Sequence, residues 1–333
     1  MALVEIEHLT KVYIRHKQAP GIGGALRSLF KRQSEEVLAV DDITCTIEAG
    51  EFVGYIGPNG AGKSTTIKML AGILVPTSGN LRVAGLVPHL QRQQNARQIG
   101  VVFGQRSQLW WDLPIPETYN LLRYIYGLKR SDYDERIRFF RDLLGLDEFW
   151  TQPVRELSLG QRMRGEVGAA LLHRPKLLYL DEPTIGMDAL VKERLRQFLV
   201  EINHRDGITI ILTTHDLDEI ERICTRVLLI NGGKLLFDGK LEALRAQCEA
   251  DTVLTVLFLE EPPADAFQGY HIISRDGARI SFAFRRKETG AGDLINDLMT
   301  HYAVRDFSLA EPSVDTVVST LYQPTNSGMS QGI

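Results

Sequence analysis

Apolar and polar positions alternate along the first part of the chain with the period of β-strands. Residues 3–13 and 38–55 show this alternation. Further along, the continuously apolar runs at 176–183 and 208–215 predict buried strands, and the amphipathic stretch at 189–207 predicts a helix. Buried strands that alternate with amphipathic helices favour an α/β fold, in which a mostly parallel sheet carries helices on its faces.

Two further stretches have helical periodicity. Residues 65–74 predict a helix that ends in a turn at the segment PTSG, 76–79, and residues 116–149 are strongly helical. Between the first two strands, residues 14–36 form a basic insertion that contains glycine. Its Leu26, Leu29 and Phe30 recur at helical spacing, so it is either a basic amphipathic element that touches lipid headgroups or a partner protein, or a solvated loop.

The pattern changes after about residue 245. The segments DTVLTVLFL, 251–259, and YHIISRDGARISFAF, 270–284, predict short antiparallel strands, with Asp276-Gly277 as the hairpin turn. The segment DLINDLMTHY places Leu294, Ile295, Leu298, Met299 and Tyr302 on one helical face, and SVDTVVSTLY, 313–322, predicts a last short helix. We therefore expect a small α+β domain at 246–323, followed by a frayed tail at 324–333.

Composition limits the classes of protein to consider. The chain has 333 residues, 44% hydrophobic and 24% charged, with a formal net charge of −4, which gives nucleic acid little electrostatic reason to bind. Three distant cysteines lack metal-ligand spacing and indicate a reducing compartment. With no apolar run of about 18 residues and no signal-peptide pattern at the start, we expect a soluble, cytosolic protein. If it works at a membrane, a partner holds it there.

A phosphate loop is the first candidate site. The segment GPNGAGKST matches G-x-x-x-x-G-K-[ST] and stands between a predicted strand at 52–56 and a predicted helix at 65–74, a context that argues against a chance match. Glycines let the backbone approach phosphates, Lys63 is placed to reach the β- and γ-phosphates, and the Ser64 hydroxyl to bind Mg²⁺. The nucleotide-binding residues expected here are Gly57, Pro58, Asn59, Gly60, Ala61, Gly62, Lys63, Ser64 and Thr65.

Polar residues also follow the other buried strands. In LLYLDE, Asp181 is placed to serve Mg²⁺, and Glu182 to polarise an attacking water; the alternative for Glu182 is a solvated acid at a strand end. His215 ends the strand at 208–215, and Gln105 ends another apolar strand. Because strand ends of an α/β sheet meet at the switch-point cleft, these four side chains predict a γ-phosphate site, with Gln105 touching both metal and water.

A second candidate anion site lies in the segment RELSLGQRMRGE, 155–166. Ser158, Gly160 and Gln161 stand at a predicted helix start, where backbone N–H groups and a hydroxyl complement an anion. The alternative is a serine that only caps this helix.

Six motifs occur in the order and spacing of the ATP-binding subunits of ABC transporters, and residues 1 to about 240 resemble that family. The motifs are GPNGAGKST, Gln105, LSLGQ, LLYLDEP, GMD and TTH. The resemblance implies an ATP-binding domain at 1–245 with a P-loop NTPase core of the RecA-like type. It also implies an antiparallel β subdomain and a helical signature subdomain at about 106–165.

The resemblance implies ATP hydrolysis with Mg²⁺, in which Lys63, Gln105, Glu182 and His215 act on the γ-phosphate and the water. It also implies a head-to-tail dimer, in which the signature helix of one chain caps the ATP of the other. Ser158, Gly160 and Gln161 would then serve the partner's nucleotide. Leu159 stands where the family has its first signature glycine, which puts the dimer contacts in question.

Further positions match family features one by one. Tyr13 matches the aromatic residue that stacks on adenine, although a core aromatic is the alternative, and Asp188 matches the loop that links the two ATP sites. The segment 107–122 lies where the family docks its membrane subunits. Trp110 and Trp111 are candidate anchors there, with one of the two expected to pack inside the helical subdomain.

The strings GQRSQLWWDLP and LSLGQRMR, the insertion and the C-terminal EPSVDTVVSTLY resemble the ATPases of ABC-2-type exporters, of the drug-resistance and viologen-exporter-like branch. The resemblance implies an exporter ATPase that works as a homodimer on an integral-membrane permease at the inner face of the cell membrane, without nucleic acid. An importer ATPase is the nearer alternative. A ribosome- or DNA-acting ABC protein is the other, although this chain has neither a second cassette nor a long coiled coil.

Overall fold

The computed structural model describes residues 2–16, 34–104, 107–214, 217–247, 252–263, 266–267, 269–284 and 290–310. The chain divides into two compact units, Met1–Lys240 and Leu241–Ile333. The sequence places this boundary after residue 245. In the part of the chain described here, no helix is both long and apolar enough to cross a bilayer.

The first unit contains strands and helices in alternation. Its strands are Ala2–His16 (β1), Ser34–Glu48 (β2), Phe52–Ile56 (β3), Ser78–Val83 (β4), Ile99–Phe103 (β5), Leu177–Asp181 (β6), Thr209–Thr213 (β7), Arg226–Asn231 (β8) and Lys234–Gly239 (β9). Its helices are Lys63–Leu70 (α1), Arg92–Ala96 (α2), Ile115–Tyr126 (α3), Arg130–Leu143 (α4), Leu159–Leu171 (α5), Ala189–Asp206 (α6) and Leu217–Ile223 (α7). Short 3-10 turns cover Leu146–Phe149 and Val154–Glu156.

The central sheet positions the site. Its strand order is β5-β6-β7-β3-β8-β9, and all neighbours are parallel except β8 and β9. Every residue of β7 is buried, as its continuous apolar run predicts. Every residue of β3 is buried as well, which the alternation described for 38–55 does not predict. The carboxyl ends of β3, β5, β6 and β7 therefore meet at one edge, which confirms the α/β fold and gathers the segments that follow these strands.

The second sheet has the antiparallel order β2-β1-β4 and corrects the expectation for residues 65–79. The helix ends at Leu70 rather than at residue 74, because Gly72 has a left-handed φ of 73° that ends the helical path. The segment PTSG is not a turn. Ser78 begins β4 and pairs with Thr10 of β1, whose edge would otherwise lack backbone partners.

The ends of the 14–36 insertion are strand as well. β1 and β2 continue to pair as an antiparallel ladder out to His16 and Ser34. The insertion proper thus shortens to 17–33, and its Leu26, Leu29 and Phe30 lie outside the described residues.

The strongly helical stretch at 116–149 is interrupted rather than continuous. α3 ends at Tyr126 because Gly127 adopts a left-handed φ of 67°, and α4 begins at Arg130. The buried Tyr119 of α3 donates its hydroxyl to the Gly165 carbonyl of α5, 2.8 Å away. α3 is thereby fixed against α5.

His173, just after α5, is packed between an aromatic ring and a backbone carbonyl group. Its ring stacks on Tyr126 with centroids 4.0 Å apart, and its Nε2 lies 2.9 Å from the Ile99 carbonyl oxygen. Burial lowers the pKa of His173 from 6.5 to about 4, although the bond to Ile99 acts in the opposite direction.

We therefore expect the unfolding free energy to fall by up to about 3 kcal/mol as the pH drops from 6.5 to 4, because only the unfolded chain binds this proton. Urea denaturation at several pH values measures the slope, which should be shallower in His173→Gln. The exposed His204 supplies the control variant, His204→Gln. Equal slopes in wild type and His173→Gln would contradict the assignment.

The second unit is α+β. Its helices are Leu241–Gln247 (α8) and Ala291–His301 (α9), and its strands are Thr252–Phe258 (β10), His271–Asp276 (β11), Arg279–Phe284 (β12) and Val304–Ala310 (β13). The strands form an antiparallel sheet of order β11-β12-β10-β13. Its core comprises Leu254, Val256, Phe258, Phe267, Ile280, Phe282, Phe284, Leu294 and Leu298.

Three details of this unit differ from the expectation. Met299 is 56% exposed, so the apolar face of α9 is narrower than the pattern predicts. Asp276 pairs with Arg279, which makes Gly277-Ala278 the two residues of the turn. The strand β13 was not predicted, because its sequence lacks strict alternation of apolar and polar residues. In the structure its residues are largely exposed. The helix predicted at 313–322 lies outside the described residues.

Candidate functional site

The phosphate loop follows β3 and leads into α1, as the motif predicts. Gly62, the residue before the helix, has a φ of 106°, and a Cβ there would lie 2.4 Å from the Ala39 carbonyl oxygen. Only glycine fits this position. Because no side chain caps the start of α1, the N–H groups of its first turn are left to bind an anion.

Lys63 lies against its own loop. The ammonium Nζ donates to the carbonyl oxygens of Gly57 and Pro58, the second at 3.2 Å, and the side chain is 7% exposed. Burial lowers the pKa of Lys63, while the carboxylates of Glu182 and Asp181 act in the opposite direction. The cation is thus held at the mouth of the loop beside two acids.

Asp181 joins the phosphate loop to two strand ends. Its Oδ2 accepts from the Ser64 hydroxyl at 3.3 Å, and its Oδ1 accepts from the Thr213 hydroxyl at 2.7 Å. The sequence analysis missed Thr213, which is fully buried at the end of β7. A polar residue that closes the apolar run ITIILT was the available signal.

Glu182 follows β6 directly and has a strained backbone. Its φ is 53°, in the left-handed region that a glutamate rarely adopts. Its backbone N–H donates to the carbonyl oxygen and the hydroxyl of Thr213, at 2.9 and 3.2 Å. Thr213 therefore sets the positions of both acids at the strand end.

Gln105 and His215, the other two predicted γ-phosphate residues, lie outside the described residues. The residues just before them, Gly104 and Thr214, follow β5 and β7 at the same edge of the sheet as Asp181. The Gly104 N–H donates to the Asp181 carbonyl oxygen at 3.1 Å.

The second candidate anion site is a capped helix start. The Ser158 hydroxyl accepts from the Gln161 N–H at 3.2 Å, and the Gln161 side-chain oxygen accepts from the Ser158 N–H at 2.9 Å. This capping box explains why α5 begins here. Ser158 is nevertheless exposed, so it can face a ligand outside its own fold.

Leu159, the departure from the family pattern, packs beside the loop before Asp188. A Cβ on Gly186 would lie 2.9 Å from the Leu159 Cδ2 atom, and one on Gly160 would lie 3.4 Å from Val191. Asp188 itself caps α6 by accepting from the Val191 N–H at 2.9 Å. The start of α5 and the start of α6 are therefore in contact.

A cleft of about 580 Å³ connects these features. Its lining includes the phosphate loop from Asn59 to Thr65, the acids Asp181 and Glu182, and Leu159 with Met163 of α5. Tyr13 does not line it; this residue lies on β1, 36% exposed, with the Lys11 ammonium 5.5 Å from its ring centroid. Ala39 of β2 lines the cleft instead.

Trp110 and Trp111 are both 52% exposed. The expectation that one of them packs inside the helical segment is wrong, because Leu109 fills that place with 4% exposure. The guanidinium group of Arg162 lies over the ring of Trp111, 5.8 Å from the ring centroid. The pair therefore forms an aromatic surface next to the start of α5.

Comparison with protein families agrees with the geometry. The family model described as ABC transporter matches residues 40–185, which run from β2 through Asp181 and Glu182. A second model, described as AAA domain, putative AbiEii toxin, Type IV TA system, matches residues 151–221.

Individual relatives are ATP-binding proteins of transporters. The ABC transporter ATP-binding protein NatA of Bacillus subtilis is 32% identical over 70% of this chain and 94% of its own length. The Nod factor export ATP-binding protein I of Ralstonia nicotianae is 34% identical, over 68% of this chain and 72% of its own length. The methionine import ATP-binding protein MetN of Latilactobacillus sakei is 30% identical over 87% of both chains.

A solved structure extends the likeness to the fold. It is the dimeric structure of a post-hydrolysis state of an ATP-binding cassette bound to ADP and Pi, 26% identical with a TM-score of 0.59. The match covers 72% of this chain and 98% of that one.

Proposed function

We propose, from the premise that the chain belongs to the ATP-binding subunits of ABC transporters, that it is the ATP-hydrolysing subunit of an ABC-2-type exporter. Members of this family bind and hydrolyse ATP. The observation that carries the assignment of ATP hydrolysis is the contact of Ser64 with Asp181. A phosphate-loop hydroxyl and a strand-end carboxylate 3.3 Å apart are the two protein groups that a nucleotide-bound metal needs.

Magnesium fits this pair of groups. Both are hard oxygen donors, and Mg²⁺ binds through one or two protein oxygens, with phosphates and water supplying the rest. In keeping with such a shared site, the described residues contain no cluster of three or more His, Cys, Asp or Glu side chains able to hold a metal alone. When bound, the ion would neutralise phosphate charge, with Gln105 as the further expected ligand.

The chain's own residues supply the remaining chemistry. The loop N–H groups and Lys63 hold the β- and γ-phosphates, and Glu182 accepts a proton from water as its oxygen attacks the γ-phosphorus. The bond from that phosphorus to the bridging oxygen breaks, which gives ADP and inorganic phosphate. We assign the orientation of the γ-phosphate to His215, which follows Thr214 in the chain.

The ATP site is shared between two copies of the chain. The exposed Ser158 and the start of α5 face the γ-phosphate held by the partner's phosphate loop, with Gly160 and Gln161 beside it. Asp188 lies where the two sites meet. Adenine stacks on Tyr13 of β1, which is 36% exposed.

Export is favoured over import by the strings GQRSQLWWDLP and LSLGQRMR, which resemble those of ABC-2-type exporters, and the first string contains the exposed Trp110 and Trp111. The permease would dock there and hold the subunit at the inner face of the cell membrane. The relatives named for Nod factor export and for methionine import show that the family serves both directions.

Deleting the gene tests the direction of transport. An exporter predicts greater sensitivity to at least one compound in a toxicity panel, restored by the wild-type gene and not by Glu182→Gln. A growth defect on one scarce nutrient, with unchanged compound sensitivity, would establish import instead.

A mixing experiment tests the shared site. Lys63→Ala removes one half of a composite site and Ser158→Arg the other, so each homodimer should be inactive. In the mixture, half of the dimers regain one intact site, and ATPase activity should return to about a quarter of wild type. A Ser158→Arg protein that hydrolyses ATP at the wild-type rate would overturn the shared site.

A further inference from the structure

A buried carboxylate ties the signature helix α5 to the loop that follows Gln105. Glu166 of α5 is 4% exposed and accepts hydrogen bonds from three groups of residues 107–109. These are the Ser107 hydroxyl, the Gln108 N–H at 3.1 Å and the Leu109 N–H at 3.4 Å. The Gln108 side chain returns a bond to the Glu166 carbonyl oxygen at 3.1 Å.

The hydrogen bonds from residues 107–109 compensate the burial of this carboxylate. Burial raises the pKa of Glu166, and the bonds from Ser107, Gln108 and Leu109 act in the opposite direction. A buried carboxyl group is costly unless its oxygens are bonded, so the loop and the helix hold each other through this side chain.

The neighbouring contacts make the connection rigid. A Cβ on Gly165 would lie 2.8 Å from Ile115 and 3.0 Å from Leu109, so α5 packs closely on the loop. Beyond Trp110, the Trp111 carbonyl oxygen accepts from the Arg155 N–H at 2.9 Å. The loop is thus attached both to α5 and to the segment just before Ser158.

We propose that Glu166 is a positioning residue that makes the loop after Gln105 and the start of the signature helix one rigid body. ATP bound in the cleft that Gly104 lines, just before this loop, then orders Ser158 at the other end of the body, without direct contact between the ATP and Ser158 of the same chain. The inference rests on the proposed ATP-dependent function and names the side chain through which nucleotide binding reaches the dimer contact.

Hydrogen exchange tests this coupling in the full chain. Glu182→Gln, which retains ATP, is studied with Mg²⁺ at a dilution at which light scattering shows monomers. ATP should slow exchange in 57–70, 107–113 and 157–171. With Glu166→Gln added, only 57–70 should remain protected, and the segments 107–113 and 157–171 should exchange about ten-fold faster. The reason is that the amide NH₂ group of the new glutamine would face donors of residues 107–109 and cannot accept their hydrogen bonds.

Two further variants make the result specific. Ser107→Ala removes one donor from the loop side and should weaken protection of 157–171 in the same direction, which tests the contact even if Glu166→Gln folds poorly. Glu156→Gln, an exposed glutamate near the same helix start, is the matched control and should change nothing.

The outcomes separate the two proposals. Absence of ATP protection at 57–70 in the parent would overturn the proposed function. Protection at 57–70 without protection of 157–171 in the parent, or protection of 157–171 that survives Glu166→Gln, would overturn the coupling through Glu166 alone.

Discussion

Glu182→Gln should reduce ATP hydrolysis by about 10²–10⁴-fold while ATP binding persists. Thr213 fixes the backbone at Glu182 through two bonds to the N–H, and these do not depend on the side chain. The amide therefore occupies the same place but cannot accept the proton from water. Single-turnover hydrolysis of radiolabelled ATP, together with the amount of ATP retained, measures both parts.

Glu193→Gln is the matched control for this prediction. Glu193 lies on α6 and pairs with Arg196 at 2.8 Å, outside the residues that line the cleft. Its hydrolysis rate should equal that of wild type. A Glu182→Gln protein that keeps more than about a tenth of the rate would show that another group accepts the proton.

Lys63→Ala should weaken ATP binding by about 10- to 150-fold, because charge-assisted hydrogen bonds to phosphate are worth about 1.5–3 kcal/mol. In the structure, the ammonium bonds to the carbonyl oxygens of Gly57 and Pro58, so phosphate replaces these acceptors. Titration calorimetry measures the ATP dissociation constant. The melting temperature should stay close to that of wild type, because burial of this cation does not favour folding.

The control for Lys63→Ala is Lys234→Ala. Lys234 is 65% exposed and pairs with Asp41 at 3.3 Å, so its charge is removed without touching the cleft. Its ATP dissociation constant should match that of wild type. A Lys63→Ala protein that binds ATP within about three-fold of wild type would mean that the loop N–H groups alone hold the phosphates.

The phosphate loop could be predicted from sequence because its chemistry depends on local order. Glycines, a lysine and a hydroxyl must follow a strand and open a helix, and all of them are adjacent in the chain. Likewise, Asp181 and Glu182 could be predicted as acids at a strand end, because they come directly after an apolar run in the sequence. Such features need no knowledge of the packing between distant segments.

Thr213 and Glu166 show what the sequence could not supply. Each acts through partners far away in the chain: Thr213 bonds to Asp181, and Glu166 to residues 107–109. A threonine in a strand and a glutamate in a helix have ordinary local propensities, so only tertiary contacts reveal them. The same holds for β4, which forms because β1 offers an edge to pair with.

Surface exposure was the least predictable property. Trp110 and Trp111 are adjacent in a segment whose apolar residues show no clear periodicity, and the structure leaves both half exposed. Met299 belongs to the apolar stripe of α9 but lies beyond the width that the small sheet covers. In both cases the size of the facing surface, which local sequence does not encode, decides burial.

Light scattering of purified Glu182→Gln tests most directly whether two copies of the chain share each ATP. With ATP and Mg²⁺ the mass should double relative to the nucleotide-free protein, and adding Ser158→Arg should abolish the doubling. A double variant that still dimerises with ATP would contradict a signature helix that caps the partner's nucleotide. So would a Glu182→Gln protein that binds ATP and stays monomeric.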